Sequence, residues 1–221
     1  MVDISYDPGP VPNEQDIRRF IQDELSRIAR AIPHVYDEWY DLLTPIVSAG
    51  RRGVASDFDW TDYNATGIFQ PDFALNEDGI ANFHINHDIK RGSKMYPHVH
   101  WSTSGTDTNP VHWELNYIYA ARNDTTPATF SGVQTVTLVG TPTGTAHQHI
   151  VTETSDVNAV DAFEVDSIVL MQVKRVTNGA TDNTDTVYGH FVDFHYQRER
   201  LGTPNKAPDF YKGYERGFGW N

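Results

Sequence analysis

Residues 111–120 constrain the fold more than any other stretch, because apolar and polar side chains alternate along most of it. Trp113, Leu115, Tyr117 and Tyr119 occupy every second position, and the first three of them are preceded by histidine, glutamate and asparagine, respectively. Successive side chains of a β-strand point to opposite faces, so this period of two predicts a strand with one buried face. The whole chain is rich in aromatic residues and contains only three methionines, which is a composition typical of β-sheets.

Other segments of the chain repeat this pattern between clusters of Gly, Asn, Asp and Pro, which favour turns. Short strands at such spacing favour a sandwich or a barrel. The predicted fold is therefore mostly β: an antiparallel jelly roll or β-sandwich over residues 61–202, with an α-helical N-terminal arm and an extended C-terminal tail. The additional strands are predicted near residues 81–89, 96–102, 133–139, 147–153, 166–177 and 187–197.

An amphipathic helix is predicted over residues 13–32, within an N-terminal arm of residues 1–60. Asn13 suits the N-cap position, and Pro33 ends the helix. The last four positions of its apolar stripe follow a 4-3-4 heptad spacing, and two heptads are too few to hold a coiled coil alone. Packing on its own domain and packing on a partner both remain open, and we treat the stripe as a candidate assembly interface: Ile17, Ile21, Leu25, Ile28 and Ile32.

The segments on either side of the sheet domain are rich in aromatic residues. Residues 34–60 suggest a short second helix or an aromatic segment lying on the sheet. Residues 203–221 combine glycine, proline and aromatic side chains and cannot form a core of their own, so we expect a tail that docks on its own domain or on a neighbour. The candidate interface residues of this tail are Phe210, Tyr211, Tyr214, Phe218 and Trp220.

Charge and composition exclude several classes of function. The formal net charge of −13 opposes binding to phosphate backbones and to anionic membranes, so we expect neither nucleic acid nor a membrane as partner. No apolar stretch approaches the roughly 20 residues of a membrane helix, and the first residues do not resemble a signal peptide. The absence of cysteine excludes disulfides and thiolate metal sites and fits assembly in a reducing cytoplasm.

Ten histidines offer the main chemistry of the sequence. His98 and His100 are two positions apart on a predicted strand, so both rings project from one face. His112 with Glu114, and Asp193 with His195, repeat this spacing with a carboxylate. Such pairs on neighbouring strands are the way in which cupin-type barrels bind zinc, iron or manganese.

The expected cupin pattern is incomplete, because Trp-Ser-Thr-Ser follows His100 where a glutamate among glycines is expected. Histidines on strands are also more often structural than metal-binding. We therefore expect no catalytic residue and no cofactor. We keep a cupin-like metal-dependent enzyme as an alternative, with His98, His100 and a further ligand from His112, Glu114 or His195. A carbohydrate-binding module that stacks sugars on Trp101, Trp113 or Tyr119 is a second alternative.

Three segments occur in a characteristic order: Pro-His-Val-His-Trp at 97–101, His-Trp-Glu-Leu-Asn-Tyr at 112–117, and Asp-Phe-His-Tyr at 193–196 followed by Leu-Gly at 201–202. Together they resemble a set of tailed-bacteriophage virion structural proteins of the jelly-roll type. The similarity covers residues 80–202, and Thr203 stands where those proteins have serine.

The resemblance implies a structural component of a bacteriophage virion rather than an enzyme. Capsid decoration or cement protein, head fibre and tail adaptor are the roles it leaves open, and each acts by protein–protein assembly. The implied partners are other virion proteins of the capsid or tail and further copies of this chain, for which a trimer is one option. The implied location is the virion, after synthesis in the host cytoplasm.

Overall fold

The computed structural model describes residues 13–31, 38–48, 57–122, 129–179, 181–198 and 206, and within the helix it describes the side chains of residues 15 and 17–25. The chain divides into two compact units, Met1–Val35 and Tyr36–Asn221. Among the described residues, no helix has the length and apolar character needed to cross a membrane.

The first unit contains helix α1, Glu14–Ala31. Its first turn closes with a hydrogen bond from the amide of Ile17 to the carbonyl oxygen of Asn13, which places Asn13 at the predicted start. The described part of the apolar stripe is exposed, with Ile17 at 47%, Ile21 at 51% and Leu25 at 61%. The side chain of Ile28 and all of Ile32 lie outside the described residues, as do the five aromatic residues proposed for the tail.

The second unit is built from strands joined by loops and two 3-10 turns, Tyr63–Ala65 and Asp156–Asn158. Most of these strands are four to ten residues long, as expected for a sandwich. The strands are β1 Glu38–Pro45, β2 Asp59–Asp62, β3 Phe69–Asp72, β4 Asp78–His84, β5 Lys94–Thr103, β6 Val111–Ala120, β7 Gln134–Gly140, β8 Ile150–Glu153, β9 Val160–Asp161, β10 Ile168–Val176 and β11 Val187–Arg198.

These strands form two sheets in which all paired strands are antiparallel. The larger sheet has the order β2-β3-β11-β5-β8, with β1 also pairing with β11 and β9 with β5. The smaller sheet has the order β4-β10-β6-β7. One continuous core joins residues of both sheets, which confirms the predicted mostly-β sandwich.

The core contains the inward-facing side chains of both sheets. Trp101 of β5 and Trp113 of β6 are fully buried, with ring centroids 6.4 Å apart. Phe73 packs edge-on against Trp113 at 5.3 Å. The indole nitrogen of Trp101 donates a hydrogen bond of 2.8 Å to Thr152 Oγ1, so this polar atom is satisfied inside the core.

The sandwich begins earlier than predicted. Strand β1 pairs with β11 over eight residues, from Glu38↔Arg198 to Pro45↔Phe191. The prediction that residues 34–60 form a helix or an aromatic segment on the sheet is therefore wrong for 38–45, which belong to the sheet itself. The predicted boundary at residue 60 moves accordingly, since the compact sheet unit starts at Tyr36.

Candidate functional site

The candidate site lies on the face of the larger sheet that points away from the core. Along β5, Val99 and Trp101 face the core, and His98 and His100 alternate with them. Along β11, Asp193 alternates with the core residues Val192 and Phe194, and His195 lies on the same face as Asp193. The β5–β11 register sets Asp193 directly opposite His98, and β8 brings Glu153 to the other side of His98.

His98 and Asp193 form a buried pair on this outer face. Each residue is only 1% exposed, although neither points into the sandwich. Nδ1 of His98 lies 3.2 Å from the carbonyl oxygen of Tyr96, and Nε2 forms an ion pair with Asp193 Oδ1. Burial lowers the pKa of His98, but the hydrogen bond and the charge of Asp193 outweigh it, so the pKa is raised above its ordinary value.

Neighbouring His100 is held by a second histidine. Its Nδ1 is hydrogen bonded to His149 Nε2 at 2.7 Å, and its ring stacks on Phe191 with centroids 4.1 Å apart. Its Nε2 points to Asp193 Oδ2 at 3.5 Å and has no hydrogen-bond partner among the described residues. Burial lowers the pKa of His100, and the charge of Asp193 opposes this shift only in part.

His195 lies beside this pair, with its ring centroid 4.0 Å from that of His98. Its Nδ1 bonds to Glu153 Oε2, and its Nε2 lies 2.8 Å from Asp41 Oδ1 of β1. Two sets of possible metal ligands result among the described residues, His98–His100–Asp193 and Asp41–His98–His195, each with ligand atoms within 4.8 Å of one another. Imidazole nitrogens combined with a carboxylate suit Zn²⁺ and other divalent transition metals.

The structure brings together three of the five histidine and carboxylate residues proposed from the sequence as metal ligands. These are His98, His100 and His195. Asp193 and Asp41 complete the two sets and were not among the proposed ligands, although Asp193 belongs to the Asp-x-His pair. Its role depends on the pairing of β5 with β11, which the spacing within one strand does not reveal.

His112 and Glu114 do not join this cluster, so their proposal as ligands of the same site is wrong. Both lie on β6 in the smaller sheet. Nε2 of His112 is 3.0 Å from Asn178 Nδ2, and Glu114 accepts a hydrogen bond of 2.7 Å from Asn116. Their two-residue spacing is the same as that of His98 and His100, but their strand is in the other sheet.

A shallow groove of about 380 Å³ adjoins the cluster. Trp39 is 53% exposed at this groove, and its ring meets that of Tyr96 edge-on at 5.4 Å. Glu153, Asp156 and His195 supply the polar part of the lining. The groove therefore combines an exposed aromatic ring with carboxylates that accept hydrogen bonds.

The two tryptophans proposed from the sequence for sugar stacking do not offer an open ring face. Trp101 and Trp113 are each 0% exposed in the core, and Tyr119 packs against the core and Phe163. The assignment of Trp101 and Trp113 as sugar-binding residues is wrong, because the alternation that predicts a strand also turns these rings inward. Tyr119 is only partly buried, and its assignment stays a prediction. The exposed tryptophans of the described sheet domain are Trp39 and Trp60.

Comparison with known proteins adds little to this geometry. No family model matches the chain, and no curated protein matches it. A solved structure of a carbohydrate-binding module specific for non-crystalline cellulose, CBM28, is similar over 73% of this chain and 87% of that chain. The identity is 10% and the TM-score is 0.29, and a likeness of this size carries no argument about function.

Proposed function

We propose that the protein is a non-enzymatic structural component of a bacteriophage virion that acts by self-association and by contact with other virion proteins. Capsid decoration or cement, head fibre and tail adaptor are the roles that fit. The resemblance of segments 97–101, 112–117 and 193–196 to tailed-phage structural proteins supports the virion location. The observation that carries the assembly role is the exposed apolar stripe of α1.

The stripe of α1 is the feature that calls for a partner. Ile17, Ile21 and Leu25 of the stripe, together with the adjoining Phe20, are between 47% and 66% exposed on one side of the helix. Most of the stability of a helix in a protein comes from packing of its apolar face rather than from the isolated helix. Burying these side chains against another helix removes apolar surface from water and stabilises both.

Further copies of α1 are the partner that the charge distribution favours. The helix contains four acidic residues, Glu14, Asp16, Asp23 and Glu24, and four basic residues, Arg18, Arg19, Arg27 and Arg30, so it has no net charge. The chain as a whole has a net charge of −13, all of which lies outside the helix. Copies of the protein therefore repel each other elsewhere and meet with least repulsion at α1. The 4-3-4 spacing suits a parallel bundle of two or three helices.

A paired charge substitution tests this assembly. We expect wild-type protein to be an oligomer by light scattering, and Ile21→Asp with Leu25→Asp to reduce its mass to the 25.0 kDa of one chain. The reason is that burying two unpaired carboxylates per helix costs more than the apolar contacts supply. The matched control, Gln15→Asp with Gln22→Asp, places the same charges on the polar side and should keep the oligomer. A monomeric wild type, or an oligomeric Ile21/Leu25 variant, would contradict self-association through α1.

The virion location has a separate test. Mass spectrometry of purified particles produced by the same genome should detect the protein in stoichiometric amounts with the capsid or tail proteins. Its presence in the host lysate together with its absence from purified particles would refute a structural virion role, whatever the oligomeric state.

A second candidate function is glycan binding at the groove of Trp39. The specific observation is the half-exposed indole ring next to the carboxylates of Glu153 and Asp156. An aromatic face packs against the apolar face of a sugar ring, and carboxylates accept hydrogen bonds from sugar hydroxyls. A virion protein with such a groove is suited to contact a host surface polysaccharide.

Trp39→Ala tests this groove against a panel of soluble bacterial polysaccharides. We expect the variant to lose about tenfold or more in affinity for any polysaccharide that the wild type binds, which corresponds to about 1.4 kcal/mol. Trp60→Ala is the matched control, because Trp60 is 52% exposed and lies outside the lining of this groove. Absence of binding by the wild type, or equal losses in the two variants, would reject the groove as a glycan site.

A further inference from the structure

We propose that His98, His100 and Asp193 form a binding site for one divalent transition-metal ion, with Zn²⁺ as the simplest occupant. The ligand atoms are Nε2 of His98, Nε2 of His100 and a carboxylate oxygen of Asp193. This site lies within one subunit and is independent of the assembly proposed for α1. Bound metal would join β5 to β11, the two strands that carry the ligands.

The hydrogen bonds around the two histidines already direct their Nε2 atoms inward. A carbonyl oxygen only accepts, so the 3.2 Å contact with Tyr96 places a proton on Nδ1 of His98. When His98 is neutral, its ring presents the lone pair of Nε2 to Asp193. When Nδ1 of His100 donates to His149, the lone pair of its Nε2 is likewise turned to Asp193. Histidine ligands of metal sites usually donate their second N–H to a neighbouring acceptor in this way.

Nε2 of a neutral His98 and the facing oxygen of the Asp193 carboxylate repel each other, because both atoms carry lone pairs. A positive species between them removes the repulsion, and a proton or a metal ion can supply it. His100 favours the metal ion. Its Nε2 is buried, has no hydrogen-bond partner among the described residues, and lies 3.5 Å from the same carboxylate. A proton on His98 leaves that nitrogen unsatisfied, whereas a metal ion accepts both imidazoles and the carboxylate together.

The other set of possible ligands fits a metal less well. Asp41 has a side chain that is 58% exposed, and His195 is held between Asp41 and Glu153. Nδ1 of His98 already bonds to the Tyr96 carbonyl. In contrast, His98 and Asp193 are each 1% exposed, so a ligand set built on them is shielded from water. The ligand chemistry also argues against Ca²⁺ and Mg²⁺, which prefer oxygen atoms alone.

Metal titration of the purified full chain tests the site. The protein is stripped with EDTA, exchanged into metal-free buffer at pH 7.5, and titrated with ZnCl₂ in a calorimeter and with CoCl₂ by visible absorption. We expect one ion per chain, Co²⁺ bands of a site with nitrogen and oxygen ligands, and a higher melting temperature with Zn²⁺, since a ligand bound only to the folded state stabilises it.

Single substitutions assign the ligands. His100→Ala should lower the affinity for Zn²⁺ by about 100-fold or more, and His149→Ala, which removes only the partner of His100, by about 10-fold to 100-fold. His112→Ala should bind as the wild type does, because His112 lies on β6 in the smaller sheet and is not part of the cluster. Circular dichroism establishes that each variant is folded. Failure of the folded wild type to bind Zn²⁺ or Co²⁺ stoichiometrically, or unchanged binding by His100→Ala, would overturn the proposal.

Discussion

Replacing Trp113 with alanine is expected to lower the free energy of unfolding by about 3–5 kcal/mol, a typical cost of truncating a buried aromatic side chain. Trp113 is 0% exposed and lies where the two sheets meet, with Phe73 at 5.3 Å and Trp101 at 6.4 Å between ring centroids. Neighbouring large rings cannot collapse into the space that the indole leaves. Because a domain has a total stability of about 5–15 kcal/mol, the variant should unfold at much lower urea concentration.

Two further substitutions give this prediction its controls. Trp113→Phe should cost less, because it retains an aromatic ring and removes an indole N–H that has no hydrogen-bond partner among the described residues. Trp60→Ala should cost about 1 kcal/mol or less, since this ring is half exposed at β2. Urea midpoints that do not differ between Trp113→Ala and Trp60→Ala would contradict the central position of Trp113 in the core.

Local alternation predicts β6, a strand with one buried face, whereas the strand predicted near residues 81–89 ends at His84. Alternation alone predicts a strand at residues 111–120, and β6 spans Val111–Ala120 with alternating burial through Tyr117. Strand β1 was missed for the opposite reason. None of its eight residues is fully buried, and Trp39 and Leu43 are more than half exposed. Its position in the sheet comes from pairing with β11, more than 140 residues later in the chain, which no local pattern reports.

The residues of the candidate site could likewise be predicted only in part from their spacing in the sequence. Alternation places His98 and His100 on one face, and the structure has them there. The identical spacing of His112 and Glu114 predicts an equivalent pair, but β6 belongs to the smaller sheet. The carboxylate that completes the His98 cluster comes from Asp193, 95 positions later, through the register of β5 with β11. Which polar pairs meet is therefore decided by sheet order and register, both of which depend on contacts distant in sequence.

A second large effect is expected for Arg175→Met, which should lower the free energy of unfolding by about 3–5 kcal/mol. Arg175 is 4% exposed and follows Val173 on the core-facing side of β10. Its guanidinium donates to the carbonyl oxygens of Phe73 at 2.7 Å and Asn183 at 2.5 Å. Methionine fills the apolar part of the space but leaves two buried carbonyls without donors, and each such loss costs about 1–3 kcal/mol.

The geometry also predicts an order among substitutions at this position. Burial lowers the pKa of Arg175, whereas nearby Asp182 opposes this shift, and the guanidinium stays charged because its ordinary pKa is so high. Arg175→Lys keeps the charge, but one ammonium group cannot replace a planar fork that reaches two carbonyls, so we expect a cost between those of wild type and Arg175→Met. Lys174→Met, on the opposite face of the same strand, should change stability by about 0.5 kcal/mol or less.

The Arg175→Met substitution should also destabilise the loops that Arg175 anchors. Asn183, whose carbonyl accepts from Arg175, donates through its side chain to the carbonyls of Asp107 and Asn109, each at 3.0 Å. Freeing Asn183 therefore loosens the contact between the segment that precedes β11 and the loop between β5 and β6. Hydrogen exchange of Arg175→Met should accelerate at the amide of Thr184, which donates to Asp107. The prediction would be contradicted if exchange at Thr184 were unchanged and the urea stability of Arg175→Met lay within about 1 kcal/mol of wild type. Methionine would then pack at this position as well as the buried charge does.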